Sequence, residues 1–270
     1  MKRFLSVAAV LCFFVSLAAA QEQPLVKNNL SQSEIDRIVK TFTTKEGEFR
    51  ESLKEYGFKR DATIQTLGLG GNITGEYRRV SELTFNSDGT RYEKVTFSPV
   101  PTLTDISVTP EDLEDLGGVN PFALDPSQVN FYNFNYLGKQ KIDEVNLYVF
   151  DVTPKVIPDP KKTKQRLFTG RVWVDDHDLQ LVKSRGKAVP ETKENKFPVV
   201  ETYRDQIDGK FWFPVYTAAN DELVFDNGQV ARIKMLVIYS NYKVGRTDVR
   251  VLDDPGDTPD TTTAPPPKKP

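Results

Sequence analysis

One short segment of the chain combines residue types that can bind a metal ion. His177, the only histidine of the 270 residues, stands among aspartates in the segment 175–178, DDHD. Imidazole and carboxylate groups are common metal ligands. A tight hairpin loop favours the same polar residues without any ion, and two of these side chains would have to turn inward to bind one. We therefore expect a turn at 175–178 and no metal site.

Other arrangements of catalytic residues are missing from the sequence. It has no zinc-hydrolase helix motif and no GxSxG motif, and its only cysteine, Cys12, lies in the N-terminal apolar segment. The acidic pairs Glu111/Asp112 and Glu114/Asp115 would need one carboxyl group in an apolar pocket to act in acid–base catalysis, and on a short helix they are expected to face solvent. We predict no catalytic residue, no cofactor and no enzymatic activity. A hydrolase that uses Asp151 or Asp205 is the alternative.

The first 20 residues have the features of an export signal. Basic residues at positions 2 and 3 precede an apolar segment at 4–17, and three alanines at 18–20 form a small-residue cleavage site before Gln21. This predicts a signal peptide over residues 1–20. Because the chain after it has no cysteine and hence no disulfide, we expect the periplasm as its location, with secretion as the alternative.

The charge and the composition limit the class of protein further. The chain has 36 basic and 38 acidic residues, so it lacks the basic surface typical of nucleic-acid binding. Residues 253–270 are rich in Pro, Thr and Asp and have almost nothing to bury, which predicts a disordered tail. Residues 21–252 are predicted to form a single domain.

That domain begins with a predicted helix and continues as a long antiparallel meander. Apolar residues recur at three- and four-residue spacing from Ser33, and Gly57 is the predicted end of the helix. The apolar period then changes to two. Turn sequences at 86–89, 208–209 and 226–228 separate the alternating segments, which indicates strands joined by short hairpins.

The segment 170–187 predicts a hairpin with apolar character on both faces. With a four-residue loop at 175–178, the apolar residues of the two strands face each other in two pairs: Val174 with Leu179, and Val172 with Leu181. Trp173 lies on the other face. A sheet that is apolar on one face and partly apolar on the other indicates a curved sheet packed mainly on one side.

A helical insertion interrupts the meander between residues 99 and 130. Thr109 is the predicted N-cap, Pro110 takes the first helical position and Gly117 ends the helix. The insertion is apolar enough to cover the sheet, and the residues predicted to line an apolar cavity between sheet and insertion are Tyr77, Phe85, Val95, Phe97, Leu147, Val149, Val172, Val174, Leu179, Leu181, Leu113 and Leu116. Because full burial of such a side chain is worth roughly 1.5–3 kcal/mol, we expect a ligand between them.

The order of these elements and the segment 170–175, GRVWVD, leading to LQLVK at 179–183, resemble the bacterial outer-membrane lipoprotein-sorting proteins of the LolA/LolB-like superfamily. The resemblance covers most of residues 33–242. It implies an α+β fold in which a large curved antiparallel sheet, an open β half-barrel, is covered by the N-terminal helix and the short helical insertion. It also implies a non-enzymatic carrier of acyl chains.

Two hypotheses on function follow. The first is an exported carrier or sensor that binds an apolar ligand, a lipid or a lipoprotein acyl chain, with outer-membrane lipoprotein sorting as its role and with transient membrane contact. The second is a structural or regulatory module of the envelope whose core is filled by its own side chains. Both allow a protein partner in the envelope, and neither involves nucleic acid.

The tail yields a first testable prediction. Deleting residues 253–270 should leave the thermal unfolding midpoint nearly unchanged, because the tail lacks apolar residues whose burial would offset the entropy lost on ordering it. Differential scanning calorimetry of the full-length and truncated proteins measures this. A large drop in the midpoint would show that the tail docks on the domain.

Overall fold

A computed structural model describes residues 23–109, 124, 126–163 and 165–245, and within them the chain forms one α-helix, one 3-10 helix and ten β-strands. In chain order these are α1 (Gln32–Leu53), β1 (Tyr56–Leu67), β2 (Ile73–Phe85), β3 (Arg91–Phe97), the 3-10 helix (Val129–Phe131), β4 (Tyr132–Ile142), β5 (Val145–Pro154), β6 (Leu167–Asp175), β7 (Leu181–Val189), β8 (Val200–Gln206), β9 (Trp212–Val224) and β10 (Val230–Val244). The predicted signal peptide, the tail and residues 110–123 of the predicted insertion, Leu113 and Leu116 included, lie outside the described residues.

The strands form one antiparallel sheet in the order β3-β2-β1-β10-β9-β8-β7-β6-β5-β4. Strands that follow each other in sequence pair with each other, except β3 and β4, and β1 also pairs with β10. Strands β3 and β4 are the two edges, so the sheet is open. With α1 packed on one face, this is the predicted α+β half-barrel, and the prediction of the fold class is confirmed. In the described part of the chain, no helix is long and apolar enough to cross a membrane.

The three predicted turns connect neighbouring strands because each has a glycine where the backbone turns. Gly89, Gly209 and Gly228 have φ values of 82°, 75° and 84°. Glycine adopts this left-handed region at little cost in free energy because it has no Cβ. These turns join β2 to β3, β8 to β9 and β9 to β10. The meander therefore follows from local turn chemistry.

Helix α1 begins at a capping box. The side chain of Ser31 accepts a hydrogen bond from the backbone N–H of Glu34 (3.3 Å), and the carboxylate of Glu34 accepts one from the backbone N–H of Ser31 (3.1 Å). Helix α1 starts close to the predicted Ser33 but ends at Leu53, four residues before the predicted Gly57, which already lies in β1.

One stripe of α1 packs on the face of the sheet that we call the inner face. Phe42 in the N-terminal half of the helix contacts Phe150 of β5, with ring centroids 6.0 Å apart. Phe49 in the C-terminal half contacts Phe213 of β9 edge-on at 5.5 Å. The helix thus joins two buried clusters, one over β4–β7 and one over β1, β2 and β8–β10.

A buried ion pair lies between these two contacts. Arg204 of β8 donates two hydrogen bonds to the carboxylate of Glu46 of α1, at 2.5 and 3.0 Å, and the guanidinium lies 4.8 Å from the ring of Phe49. Both side chains are almost fully buried, with 6% and 2% exposed. The two-pronged geometry satisfies both carboxylate oxygens and fixes how α1 is placed over the sheet.

The central hairpin differs in register from the prediction. Val174 pairs with Leu181, not with Leu179, and a bulge at this point shifts Val172 opposite Ser184. The cause is the turn, which is longer than predicted: Leu179 has a φ of 55° and its N–H donates to the carbonyl of Asp175 (3.1 Å). The predicted pairs are wrong, although the four apolar side chains still share one buried cluster on the inner face.

The ion pair of α1 yields a second prediction. The substitution Glu46→Ala should lower the free energy of unfolding by about 3–5 kcal/mol, because it leaves the buried Arg204 charge without a partner. Urea unfolding followed by circular dichroism measures it. The matched control is Glu48→Ala, which removes an exposed pair with Lys45 and should cost less than about 1 kcal/mol. Equal losses in the two variants would contradict the assigned role of Glu46.

Candidate functional site

The inner face of the sheet borders a cavity of about 500 Å³. Its walls come from β1 and β7–β10 and from two loops, which we call the first cover loop (residues 105–109) and the second cover loop (residues 194–198). The apolar wall residues on the strands are Ile64, Ala188, Val200, Pro214, Leu223, Ile233 and Met235, and those on or beside the cover loops are Ile106, Val108, Phe197, Pro198 and Phe225. A volume of this size is typical of small-molecule sites.

Strand alternation places the wall residues of β10. Ile233 and Met235 point into the cavity, while Leu236 lies on the opposite, outer face and is 42% exposed. Met235 pairs with Ile64 of β1 across the sheet. At Ser184 and Ala188 of β7 the wall carries small side chains, which leave space between the sheet and the loops above it.

The first cover loop is held by a hydrogen bond to its backbone and by apolar packing. The amide of Gln229 donates a hydrogen bond to the carbonyl of Asp105 (3.2 Å). Ile106 packs against the buried cluster of Leu223, Ala231 and Ile233.

Polar contacts fix the second cover loop. Lys196 forms an ion pair with Asp226 at 2.9 Å, the N–H of Phe197 donates to the carboxylate of Glu191 at 3.2 Å, and Arg166 lies 4.7 Å from the ring of Phe197. Both cover loops that border the cavity are therefore held in place by contacts with the rest of the protein.

Several polar groups of the cavity wall have partners within the protein. Arg204 binds Glu46, and the hydroxyls of Thr202 and Thr217 share a hydrogen bond of 2.8 Å. Burial raises the pKa of Tyr239, so its hydroxyl stays neutral at physiological pH. What the cavity offers a ligand is therefore mainly apolar contact.

The predicted site residues fall into separate places. None of those that the structure describes lines this cavity. Val172, Val174, Leu179 and Leu181 are buried in the cluster under the N-terminal half of α1. Tyr77 belongs to the cluster that borders the cavity, and Phe85 is half-buried at the end of β2. Leu113 and Leu116 lie outside the described residues.

Leu147 and Val149 do not share the predicted face. They pair with Asp175 and Trp173 of β6, which places them on the outer face in a cluster with Trp173 and Val182. The predicted alignment with Val172 and Val174 is wrong by one residue in register, and a shift of one residue turns every side chain to the other face.

Val95 and Phe97 lie on the edge strand β3 and are 41% and 51% exposed. A register shift between Val80 and Ser81 places Phe97 opposite Val80, and the guanidinium of Arg78 lies 5.6 Å from its ring. Arg78 also binds Asp61 on the outer face. Phe97 therefore lies on the face opposite the cavity, contrary to the predicted common face.

The sequence signal for the true cavity wall was the alternation in β10. Ala231, Ile233, Met235 and Val237 are buried at every second position. That pattern predicts one buried face, but not that β7 contributes the small residues Ser184 and Ala188 to the same cavity wall.

The loop 175–178 is a turn stabilised by its own side chains. The carboxylate of Asp175 accepts hydrogen bonds from the backbone N–H groups of His177 (2.6 Å) and Asp178 (3.3 Å). Asp178 in turn accepts from the indole N–H of Trp212 (3.2 Å). Burial raises the pKa of Asp175. Asp151 and Asp205, the alternative catalytic carboxylates, lie away from the cavity wall, and Asp151 binds Arg171 at 2.8 Å.

Comparisons with known proteins give no family for the chain. No protein-family model and no curated protein matches it. A DUF1329 family protein from Desulfovibrio piger is 14% identical, with 80% of this chain and 95% of that chain covered and a TM-score of 0.36. MucB of Pseudomonas aeruginosa, solved in complex with MucA, is 10% identical, with 76% and 99% covered and a TM-score of 0.22. Likenesses this weak assign neither family nor function.

The turn yields a third prediction. The substitution His177→Ala should leave both the thermal midpoint and the metal content unchanged, because the turn is stabilised by the Asp175 carboxylate and by backbone groups rather than by imidazole. Metal content is measured by inductively coupled plasma mass spectrometry on purified wild-type and variant protein. A stoichiometric metal in the wild type that is lost in the variant would contradict the prediction.

Proposed function

We propose that the protein is a non-enzymatic carrier or sensor that holds an apolar ligand in the cavity between the sheet and the two cover loops. The observation that supports this is the cavity itself, about 500 Å³ in volume, with aliphatic and aromatic walls and cover loops fixed on two sides. Burial of apolar surface is the main force available there, since most of the wall is apolar and Thr202, Thr217 and the terminal nitrogens of Arg204 already have partners.

The chemical class that fits such a cavity is an acyl chain or another hydrocarbon group. Each methylene moved from water into apolar surroundings is worth about 0.8 kcal/mol, so a chain of several methylenes offsets the cost of immobilising it. The resemblance of the sequence to the LolA/LolB-like proteins points to a lipid or a lipoprotein acyl chain, with lipoprotein sorting as the role.

The predicted signal peptide at 1–20 makes the periplasm the proposed location, with residues 21–252 as one domain. A protein partner in the envelope and transient membrane contact are part of the same proposal. Neither enzymatic activity nor a cofactor is part of it.

A second candidate, a structural or regulatory module, is supported by the other half of the inner face. Under the N-terminal half of α1, the large side chains of Phe42, Phe150 and Phe168 are almost fully buried, with no more than 1% exposed. The centre of this half is packed with the protein's own residues, and a second pocket lined by Ile35, Val39 and Phe134 lies beside it. If the cavity bound no ligand, the whole inner face would act as a core, and an envelope protein would be the partner.

The carrier proposal predicts that the purified protein binds the neutral fluorescent probe N-phenylnaphthylamine and that dodecanol displaces it. The substitution Ala188→Phe, which fills the cavity, should weaken probe binding by at least about tenfold, and Met235→Lys should abolish it. Leu236→Lys is the control for Met235→Lys, because it places the same charge on the neighbouring residue, which faces outward.

Fluorescence titration measures the affinities, and circular dichroism checks that each variant is folded. Ala188→Phe keeps the test informative if Met235→Lys does not fold. If the wild type binds no apolar probe, or if Ala188→Phe binds it as well as the wild type does, the cavity is not the site and the structural-module hypothesis replaces the carrier.

A further inference from the structure

A second site candidate lies on the inner face near the β3 edge of the sheet. Arg60 of β1 and Arg79 of β2 share the carboxylate of Glu93 of β3, at 2.6 Å and 3.1 Å. Arg79 also donates to the second oxygen of Glu93, at 3.2 Å. Arg60 is only 2% exposed, whereas Glu93 is 31% exposed, so the group extends from the interior to the surface.

A third guanidinium, that of Arg91, lies close enough to Arg60 for the two charges to repel each other. Arg91 is two residues before Glu93 on β3, and since successive side chains alternate, both face the same side. Arg91 donates a hydrogen bond to the carbonyl of Leu53 at the end of α1 (2.9 Å) and lies 5.2 Å from the ring of Phe58. It forms no ion pair with any described residue, and its Nε is buried without an acceptor. We call Arg60, Arg79 and Arg91 with Glu93 the arginine cluster.

The arginine cluster thus holds more positive than negative charge. Two guanidinium groups share one carboxylate, and the third has a neutral carbonyl as its partner. Burial lowers the pKa of Arg91, which reflects the cost of keeping this charge away from water. Two buried hydroxyls lie in the same group, that of Tyr77 beside Arg79 and that of Ser81 beside Glu93.

These groups have the composition of an anion site. A guanidinium presents parallel N–H donors that match two oxygens of a phosphate or a carboxylate, and hydroxyl groups can donate to the remaining oxygens. An anion here would neutralise the excess charge and could accept from the buried Nε of Arg91. Arg79 is 22% exposed and Glu93 is 31% exposed. Their exposed side is the side from which an anion can enter.

We propose that the arginine cluster binds the oxyanion of a phosphate or carboxylate group. The source is either a free anion or the head group of an amphiphile. Arg60 pairs across the sheet with Tyr239, which lines the apolar cavity, so the second source would place a charged head near the bound chain. The inference stands independently of the carrier proposal, because the anion contacts belong to β1–β3 alone.

Isothermal titration calorimetry at low ionic strength with inorganic phosphate, dodecyl phosphate and dodecanol tests this proposal. Arg79→Gln should weaken binding of the phosphate-bearing probes by about tenfold or more, the usual size of one lost charge-assisted contact. Arg78→Gln is the matched control, since it removes the neighbouring arginine, which binds Asp61 on the outer face, and it should leave the affinity unchanged.

A variant that should strengthen phosphate binding, rather than weaken it, distinguishes an anion site from a purely structural ion-pair group. Glu93→Gln removes the carboxylate that competes for Arg60 and Arg79 and should strengthen phosphate binding several-fold. A merely structural ion-pair group would give no anion binding to strengthen. Thermal midpoints of the three variants show whether each one is folded before its affinity is compared.

The probes distinguish the two sources. Binding of inorganic phosphate that depends on Arg79 supports a free-anion site, and binding of dodecyl phosphate alone supports an amphiphile head group. The proposal is overturned if neither phosphate probe binds, if Arg79→Gln and Arg78→Gln behave alike, or if dodecanol binds as tightly as dodecyl phosphate. If dodecanol binds as tightly as dodecyl phosphate, the carrier proposal is still supported although the anion site is rejected. If phosphate binding depends on Arg79 but the protein does not bind N-phenylnaphthylamine, the anion site is supported and the carrier proposal is rejected.

Discussion

The pairing of β1 with β10 holds the first and the last described strand in one sheet. It runs from Tyr56 opposite Val244 to Leu67 opposite Arg232, and without it β1–β3 would be separate from β4–β10. Bringing together residues so far apart in sequence costs loop-closure entropy, and burial on the inner face helps to offset this cost. The apolar cavity and the arginine cluster both border these two strands, so both depend on this pairing.

Helix α1 divides the inner face into a half that carries large buried side chains and a half that borders the cavity. Its N-terminal half packs on large side chains such as Phe150, and its C-terminal half ends beside the strands that surround the cavity. The Glu46–Arg204 ion pair fixes the helix between the two halves. Because both charges are buried, the pair gives position more than stability: a shifted helix would leave each of them without its partner.

Buried charged side chains occur on both faces of the sheet. On the outer face Lys183 is 2% exposed and lies 4.7 Å and 4.4 Å from the rings of Trp173 and Tyr203, with Glu201 at 3.1 Å. Its charge is thus compensated by a carboxylate and two aromatic rings. Arg91 has no such carboxylate among the described residues, and this contrast distinguishes the arginine cluster from a purely structural ion pair.

The sequence by itself determined the helix, the turns and the fold class, because capping at Ser31, glycine at Gly89 and Gly228 and strand alternation are local properties. Only the tertiary structure decided which strand faces meet. The bulge at Val174 and the pairing of Leu147 with Asp175 changed the predicted common face, since register depends on turn length and on the partner strand. For the same reason the cavity wall on β7–β10 and the arginine cluster could not be predicted: each combines side chains that only strand pairing brings together.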